Sequence, residues 1–435
     1  MMEFLGQNVL EANGHYMSLL EVLTVMVYLI NLPYTGIVIG TLALSMFLSF
    51  RDHEIPDSRF SRLSGDLMET FLGNTTAMVV LGVCPLLALP LIYAQWFNGL
   101  DATPLPYIPF AVLLVVIGYG LVIGYRNSYA RRKNEFGWHI FLGNSAGAML
   151  SLSYLVLIAA VVRLHDPESW FRVKDMLIMV LNWNVIWKWM FFMHASMAIS
   201  GAAVLFFFLG MRREETMRDP EYASFVRKWG GGVSLAFTMA LPVFYVFYIF
   251  TTPNVAVNNT VYLMATAVPL VAMVIALYLL GVLRSAAPRF GGIIFSLFIV
   301  FFTLASSVDL VAMNQANREH YRTIERTAEE HKAARESELH ARLEGGGGAA
   351  AGEQTYQTVC SACHKMDERL VGPALNDVLP KYQSIDALVG FLTNPAKVDP
   401  NYPPMPNPGL SPQQARSVAE YLLGAEADAG SQSGH

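Results

Sequence analysis

Val359-Cys360-Ser361-Ala362-Cys363-His364 is a C-x-x-C-H run. At this spacing two thiols meet the two vinyl groups of a haem, and the next residue, a histidine, falls beneath the iron. Cys360 and Cys363 are expected to form the thioethers and His364 to be the proximal ligand. A disulfide or half of a zinc site would draw on the same residues. A structural zinc site, however, needs a second pair of ligands, and the chain has only three cysteines, the third being Cys84 in an apolar run. A covalent haem c uses every residue of the motif.

Downstream, Gly372-Pro373-Ala374-Leu375 reads as a turn, and Tyr402-Pro403-Pro404-Met405-Pro406 as a proline-bracketed loop presenting Met405. Class I cytochromes c, which this stretch resembles, take the sixth iron ligand from such a loop, so the resemblance implies Met405 in that role, with a packing methionine as the alternative; Met/His ligation raises a haem's potential. Met366 is a rival, but it stands two residues past His364 and does not easily reach the opposite haem face. Ser411-Pro412-Gln413-Gln414 is a capping-box start, opening a short amphipathic helix to about Leu423. Together these features resemble a small class I cytochrome c over residues 352–424.

Upstream, Asn314 to Leu343 is rich in Glu, Arg, Ala and His and free of Gly and Pro. It reads as a helical stalk, on which His320, His331 and His340 are expected to be solvated. Gly345-Gly346-Gly347-Gly348-Ala349-Ala350 then acts as a flexible joint, which would let the haem domain swing or merely tether it.

Of the 435 residues, 54% are hydrophobic and 14% charged, against about 25% charged in soluble domains. Lipid must replace water over much of the surface. Net charge is −5 with no basic run, which speaks against a nucleic-acid partner. Eight segments are long and apolar enough to span a membrane: near Leu19–Phe50, Met68–Tyr93, Tyr107–Tyr125, Trp138–Val162, Val185–Leu209, Val233–Phe250, Val261–Leu283 and Gly291–Met313. The loops after the first, third, fifth and seventh hold fourteen Arg and Lys; the alternate loops hold Arg163, Arg172 and Lys174. The positive-inside bias makes the first set cytoplasmic. Both termini are then outside, the side on which bacteria attach haem c. Met1 to Met17 carry no Lys or Arg, so the first spanning helix, rather than a cleaved leader, is expected to direct insertion.

The expected fold is all-α: a polytopic membrane helix bundle of about eight transmembrane helices plus a small all-α cytochrome c domain. The division is residues 1–316 (membrane domain), 317–344 (stalk), 345–351 (Gly/Ala hinge), 352–424 (cytochrome c) and 425–435 (flexible tail).

Within the membrane, His194 lies in Trp187-Lys188-Trp189-Met190-Phe191-Phe192-Met193-His194-Ala195-Ser196. A histidine inside an apolar helix is a functional candidate, and the small residues after it leave room for a macrocycle or for close helix packing. Here the chain resembles subunit I of the cytochrome bd oxidases. The resemblance rests on His194 to Gly210, on Met264 early in the seventh span (Tyr262-Leu263-Met264-Ala265-Thr266) and on Leu142-Gly143-Asn144-Ser145-Ala146-Gly147-Ala148. It implies one haem b near the outer face, ligated by His194 and Met264; a hydrogen-bonded core histidine and a packing methionine are the alternative. The departures are equally plain. Tyr28 stands where that family's first helix carries a haem-ligating histidine, five residues before Pro33, and is expected to pack. The third span has no acids, only Thr251 to Thr260 joins the sixth and seventh spans, and the ninth helix is absent.

Other polar residues receive ordinary roles. His139 is read as an interfacial anchor beside Trp138, Lys188 as snorkelling to the outer interface, and Asp309 as its possible partner or a proton carrier. His15 and His165 are read as outer-loop residues in ordinary contact with solvent, and His53 as lying in a charged cytoplasmic loop.

The resulting expectation is a bacterial inner-membrane cytochrome with haem c and one haem b. It would be an electron-transfer subunit of a respiratory complex, working with other subunits, a periplasmic electron carrier and, as a donor, a quinol. One alternative is subunit I of a divergent oxygen reductase fed through its haem c, with Tyr28 and His139 as further ligand candidates. A second is a membrane anchor without haem b.

Overall fold

A run of apolar residues from Leu19 to Phe50, interrupted by no charge after Glu21, folds as one long helix. In the computed structural model, which describes residues 14–55, 57–97, 100–173, 175–285, 290–344, 348–397, 402 and 404–432, this helix is α1 (Gly14–Glu54). The remaining long helices are α2 (Ser58–Phe71), α3 (Cys84–Trp96), α4 (Tyr107–Ser128), α5 (Phe136–Arg163), α6 (Trp183–Phe206), α7 (Pro220–Thr251), α8 (Asn259–Ser285) and α9 (Gly291–Ala316). Eight segments among the described residues are long and apolar enough to cross a membrane. No strand occurs among the described residues. The fold is therefore the all-α membrane bundle with a small helical domain that the sequence leads one to expect.

The chain divides into two compact units, Met1–Glu325 and Arg326–His435. In the first, α6 is the central helix, packed on α1, α5, α7 and α9. Small residues make this possible, since helices in lipid associate by close packing and interhelical hydrogen bonds. Ser200 Oγ bonds the carbonyls of Gly36 (3.2 Å) and Ile37 (3.1 Å) on α1, and Ser234 Oγ of α7 bonds the carbonyl of Ala198 (2.8 Å). Outward residues stay apolar: Phe250 is 86% exposed and Leu263 73%, surface that only a lipid environment covers without cost.

Some boundaries differ from the sequence reading. The second span is Thr75–Trp96 and excludes Met68. Met68 belongs to α2, an amphipathic helix capped by Asp57, whose side chain accepts from Arg59 N. Asn74 then caps the next helix, and this Gly73-Asn74 break is what separates the two. The sixth span begins at Pro220, well before Val233, because its charged first turns extend the same helix. The stalk is not continuous with the last span. α9 ends at Ala316, and Asn317 turns the chain, its amide donating to the carbonyls of Leu164 and Met313 (both 2.9 Å). A new helix, α10, runs Arg318–Glu344.

The second unit also contains α11 (Ala349–Thr355), α12 (Leu375–Val378), α13 (Ile385–Thr393) and α14 (Pro412–Gln432). α14 continues past Leu423, where the sequence reading ended it. Its start is the expected capping box: Ser411 N donates to Gln414 Oε1 (2.9 Å) and Gln414 N to Ser411 Oγ (3.3 Å). α11 crosses α14 so closely that a Cβ at Gly352 would overlap the carbonyl of Ser417. Tyr356, Leu388, Leu392, Val418, Ala419 and Leu422 form the core around this crossing. Of the joint expected over 345–351, residues 345–347 lie outside the described residues, as do His15, Lys174 and Arg289 or their side chains; the side chain of His340 does too.

Candidate haem site in the C-terminal unit

The helical start at Ala349 widens into a single π-turn over Tyr356–Cys360. The motif follows as a compact turn: Ser361 N donates to Tyr356 O (2.9 Å), and Cys363 N (3.0 Å) and His364 N (2.9 Å) both donate to Cys360 O. This folding puts Cys360, half-buried, and His364 on the wall of one apolar cavity, with Cys363 exposed beside it. The three cysteines form no disulfide. Among the described residues no three His, Cys, Asp or Glu side chains converge as a zinc ion would require. Burial pushes the Cys360 thiol up from its usual range, and the nearby Cys363 adds to the effect. That favours an uncharged thiol on an apolar wall.

His364 is held in one orientation. Its Nδ1 lies 3.2 Å from the carbonyl oxygen of Pro373, an acceptor only, so Nδ1 carries the proton and Nε2 the lone pair. Gly372 makes this approach possible, because a Cβ there would fall 2.6 Å from Nδ1 and 2.8 Å from Nε2. The strand-like segment around Gly372 is tied to the motif by Gly372 N to Cys363 O, Leu375 N to Lys365 O and Asn376 N to Met366 O, each 3.0 Å. The Tyr356 hydroxyl donates to His364 O (3.0 Å).

Met405 arrives from the other side on the proline-rich loop. That loop is pinned by Asn407 Nδ2 to Thr393 O (3.2 Å) and turned by Gly409 at φ +67°, a conformation glycine adopts without strain. Two adjoining cavities of about 130 and 180 Å³ share Cys360, His364, Pro373, Tyr402 and Met405. The wall of the smaller, 130 Å³ cavity is completed by Leu379, Tyr382 and Phe391. The residues fit a haem: a thiol pair, an imidazole with a free Nε2, a thioether on the same cavity and apolar walls. Met366 lines neither of these cavities, although both it and Met405 pack partly buried against the core of the unit.

The membrane candidates are less closely drawn together. His194 stands eleven residues after the start of α6, about 16 Å along the axis, and is half-buried. Its Nδ1 is 2.8 Å from Met190 O, and its ring packs on Phe244 (4.1 Å) and Phe237 (5.5 Å) of α7. Met264 is half-buried, five residues into α8, about 8 Å along, and α8 packs on α7 and α9. The ring neighbours of His194 thus come from α7, not from the helix that carries Met264.

Several residues depart from the roles given above. His165 is not in ordinary contact with solvent: it is fully buried. Lys188 does not snorkel but pairs with Asp309 at 2.8 Å. His139 is buried, 2.6 Å from Ser128 Oγ and stacked on Tyr125. His320 is not solvated. It stacks on Phe97 and lies 3.3 Å from Trp96 O, and burial lowers its pKa. His53 stacks on Phe136 at 4.0 Å. Tyr28 packs as expected, its hydroxyl 2.9 Å from that of Tyr93. The one signal that foreshadows this polar interior is the spacing of Thr24, Tyr28, Asn31 and Thr35 on one face of α1.

Comparison with known proteins places the C-terminal unit. Residues 347–422 match the family model described as cytochrome C oxidase, cbb3-type, subunit III. Cytochrome c-551 of Pseudomonas denitrificans is 38% identical over 77 residues, which is 17% of this chain and 94% of that protein. Cytochrome c-551 of Ectopseudomonas mendocina is 34% identical over 79 residues, covering 17% and 96%. Cytochrome c-552 of Nitrosomonas europaea is 33% identical over 69 residues, covering 15% and 67%. No solved structure matches the chain significantly.

Proposed function

Since this chain belongs, through its C-terminal domain, to the family of small cytochromes c that includes cytochrome c-551, we propose that it is a membrane-bound haem b/haem c electron-transfer subunit of a respiratory complex. A cytochrome c domain joined to eight helices able to cross a membrane supports this reading. In the proposal Cys360 and Cys363 hold a haem c by thioethers, His364 is its proximal ligand and Met405 its sixth. The haem supplies reversible one-electron chemistry, and the protein supplies ligands, burial and orientation. Pro373 O holds the His364 ring with Nε2 free, so His364 and Met405 would be the residues that hold the iron, and Leu379, Tyr382 and Phe391 would keep water from the group. The observation that carries the reading is that His364 and Met405 face the same apolar cavities.

Following the resemblance to subunit I of the bd oxidases, the membrane unit carries one haem b on His194 and Met264. The hydrogen bond from His194 Nδ1 to Met190 O supports this, since it leaves Nε2 free to ligate. Both termini face the periplasm, in keeping with the charge bias of the loops. Electrons pass between a membrane donor, a quinol or partner subunit, and a periplasmic carrier through the two haems, with residues 317–351 as stalk and joint. The test is His194→Ala in the full chain. It should remove the b-type absorption and spare the c-type; an unchanged spectrum leaves only the membrane anchor with its cytochrome c.

A further inference from the structure

A second polar centre lies inside the membrane unit and takes no part in the haem reading. Tyr28 of α1, Tyr93 of α3, Lys188 of α6, Ser306 and Asp309 of α9, and His165, just past α5, line a cavity of about 60 Å³. His165 is 0% exposed, and neither of its ring nitrogens has a partner in the protein. Leaving a buried donor or acceptor unmatched is costly, so a fully buried imidazole with two such atoms calls for a ligand. The rest of the wall is largely aliphatic, from Leu32, Leu157, Ile158, Val161, Leu310 and Met313, and its charged groups are Lys188 and Asp309. Lys188 Nζ is 2.8 Å from Asp309 Oδ2 and 3.5 Å from the Tyr248 hydroxyl, which donates to Asp309 Oδ1 at 2.5 Å.

Size decides what the ligand is. A cavity of roughly 150 Å³ is needed to take a benzene ring, whereas a water molecule has a share of about 30 Å³ in the liquid. At about 60 Å³ the cavity has room for one or two waters. From its wall a hydrogen-bonded path continues inward. The Tyr154 hydroxyl, also on the cavity, lies 2.5 Å from Asn31 Oδ1 and 2.9 Å from Thr35 Oγ1, and Thr35 Oγ1 lies 2.8 Å from the Tyr119 hydroxyl.

We propose that this cavity is a hydrated proton-transfer site, in which bound water joins His165 to the Lys188–Asp309 pair and His165 takes up and returns a proton. In the step a hydrated proton entering from the nearby aqueous face leaves its water and bonds to a ring nitrogen of His165. Water and imidazolium result, and the return reverses it without electron transfer. The groups facing the imidazole set its resting state. Burial holds it far below the usual histidine range, at about 3; the Lys188 ammonium lowers it further and the Asp309 carboxylate opposes this. Tyr28, Tyr93, Tyr154 and Tyr248 surround the site as neutral hydroxyls, and Arg163, two residues away, turns to the Ile178 carbonyl at 3.0 Å. His165 thus rests neutral with a lone pair available, and its charged form is short-lived.

Water-edited solid-state ¹⁵N NMR of the full chain in liposomes, labelled at histidine, tests this. The His165 resonance is identified by its loss in His165→Gln and by sequential assignment in the native protein. The expected result is magnetisation transfer from water to His165 as fast as to the exposed His331, and its loss in Ser306→Leu, which fills the cavity. His165 N–H exchange should quicken from pH 7 to pH 5 and slow in Asp309→Asn. A native His165 that receives nothing from water overturns the proposal, whether or not the variants fold. Hydration with pH-independent N–H exchange overturns the proton transfer. None of these readings depends on the haem content of the membrane unit.

Discussion

Nδ1 of His364 and the carbonyl oxygen of Pro373 lie 3.2 Å apart, and that single contact leaves Nε2 of His364 as the nitrogen with a free lone pair, the one the proposed function assigns to iron. The contact exists because the residue between them in the path of the ring is Gly372, the only residue type without a Cβ to collide with it.

Gly372→Ala should therefore displace the His364 ring. Forcing a methyl into a filled site costs about 1–3 kcal/mol. The full chain should lose its c-type absorption at a lower temperature than the native protein, and a smaller fraction should carry covalent haem on a denaturing gel stained for haem. An unchanged melting profile would mean that the ring is free to move away.

Met405→Ala should leave covalent attachment intact, because the thioethers are made by Cys360 and Cys363. It should lower the midpoint potential of haem c, since a methionine ligand raises it. Axial ligation spans about 0.8 V across proteins, so a fall of about a tenth of a volt or more is expected in a redox titration. A potential that does not move would assign the sixth position to another residue.

Lys188 and Asp309 are 14% and 19% exposed and paired at 2.8 Å. Removing one partner strands the other charge, at a cost of about 3–5 kcal/mol. Lys188→Met and Asp309→Leu should each lower the unfolding midpoint in detergent strongly, and the double variant should recover much of the loss. Two losses that simply add would show that the pair does not act as a unit.

His320 supplies a pH dependence. Burial depresses its pKa in the folded chain, the bond to Trp96 O only partly opposing this. The neutral form is thus favoured by the fold, and the contribution is fully present above the unfolded value of about 6.5. It is lost as pH falls from there towards the folded pKa, because the unfolded state then binds more protons. Hydrogen-exchange protection over residues 314–325, corrected for the intrinsic pH dependence of amide exchange, should fall between pH 7 and pH 5, and His320→Phe should flatten that response.

The haem site was legible because its information is local. C-x-x-C-H, the Gly372-Pro373 turn, the proline-flanked Met405 and the Ser411–Gln414 box each need only a few neighbouring residues, and apolar length alone marks eight spans. What was not legible depends on packing between distant segments. The Lys188–Asp309 pair, one of the two roles the sequence offers for Asp309, does form across 121 residues, but nothing near His165 in sequence announces that α1, α3, α6 and α9 close over it. The turn at Asn317 was missed for the same reason, since its amide is satisfied by Leu164, on another helix.

The measurement that tests the central claim most directly is a pyridine haemochrome spectrum of the purified full chain, read as the ratio of haem b to haem c. The account predicts one of each, the haem c released only by breaking thioethers and the haem b extracted by acid acetone. Haem c alone would contradict it and leave a membrane-anchored cytochrome c.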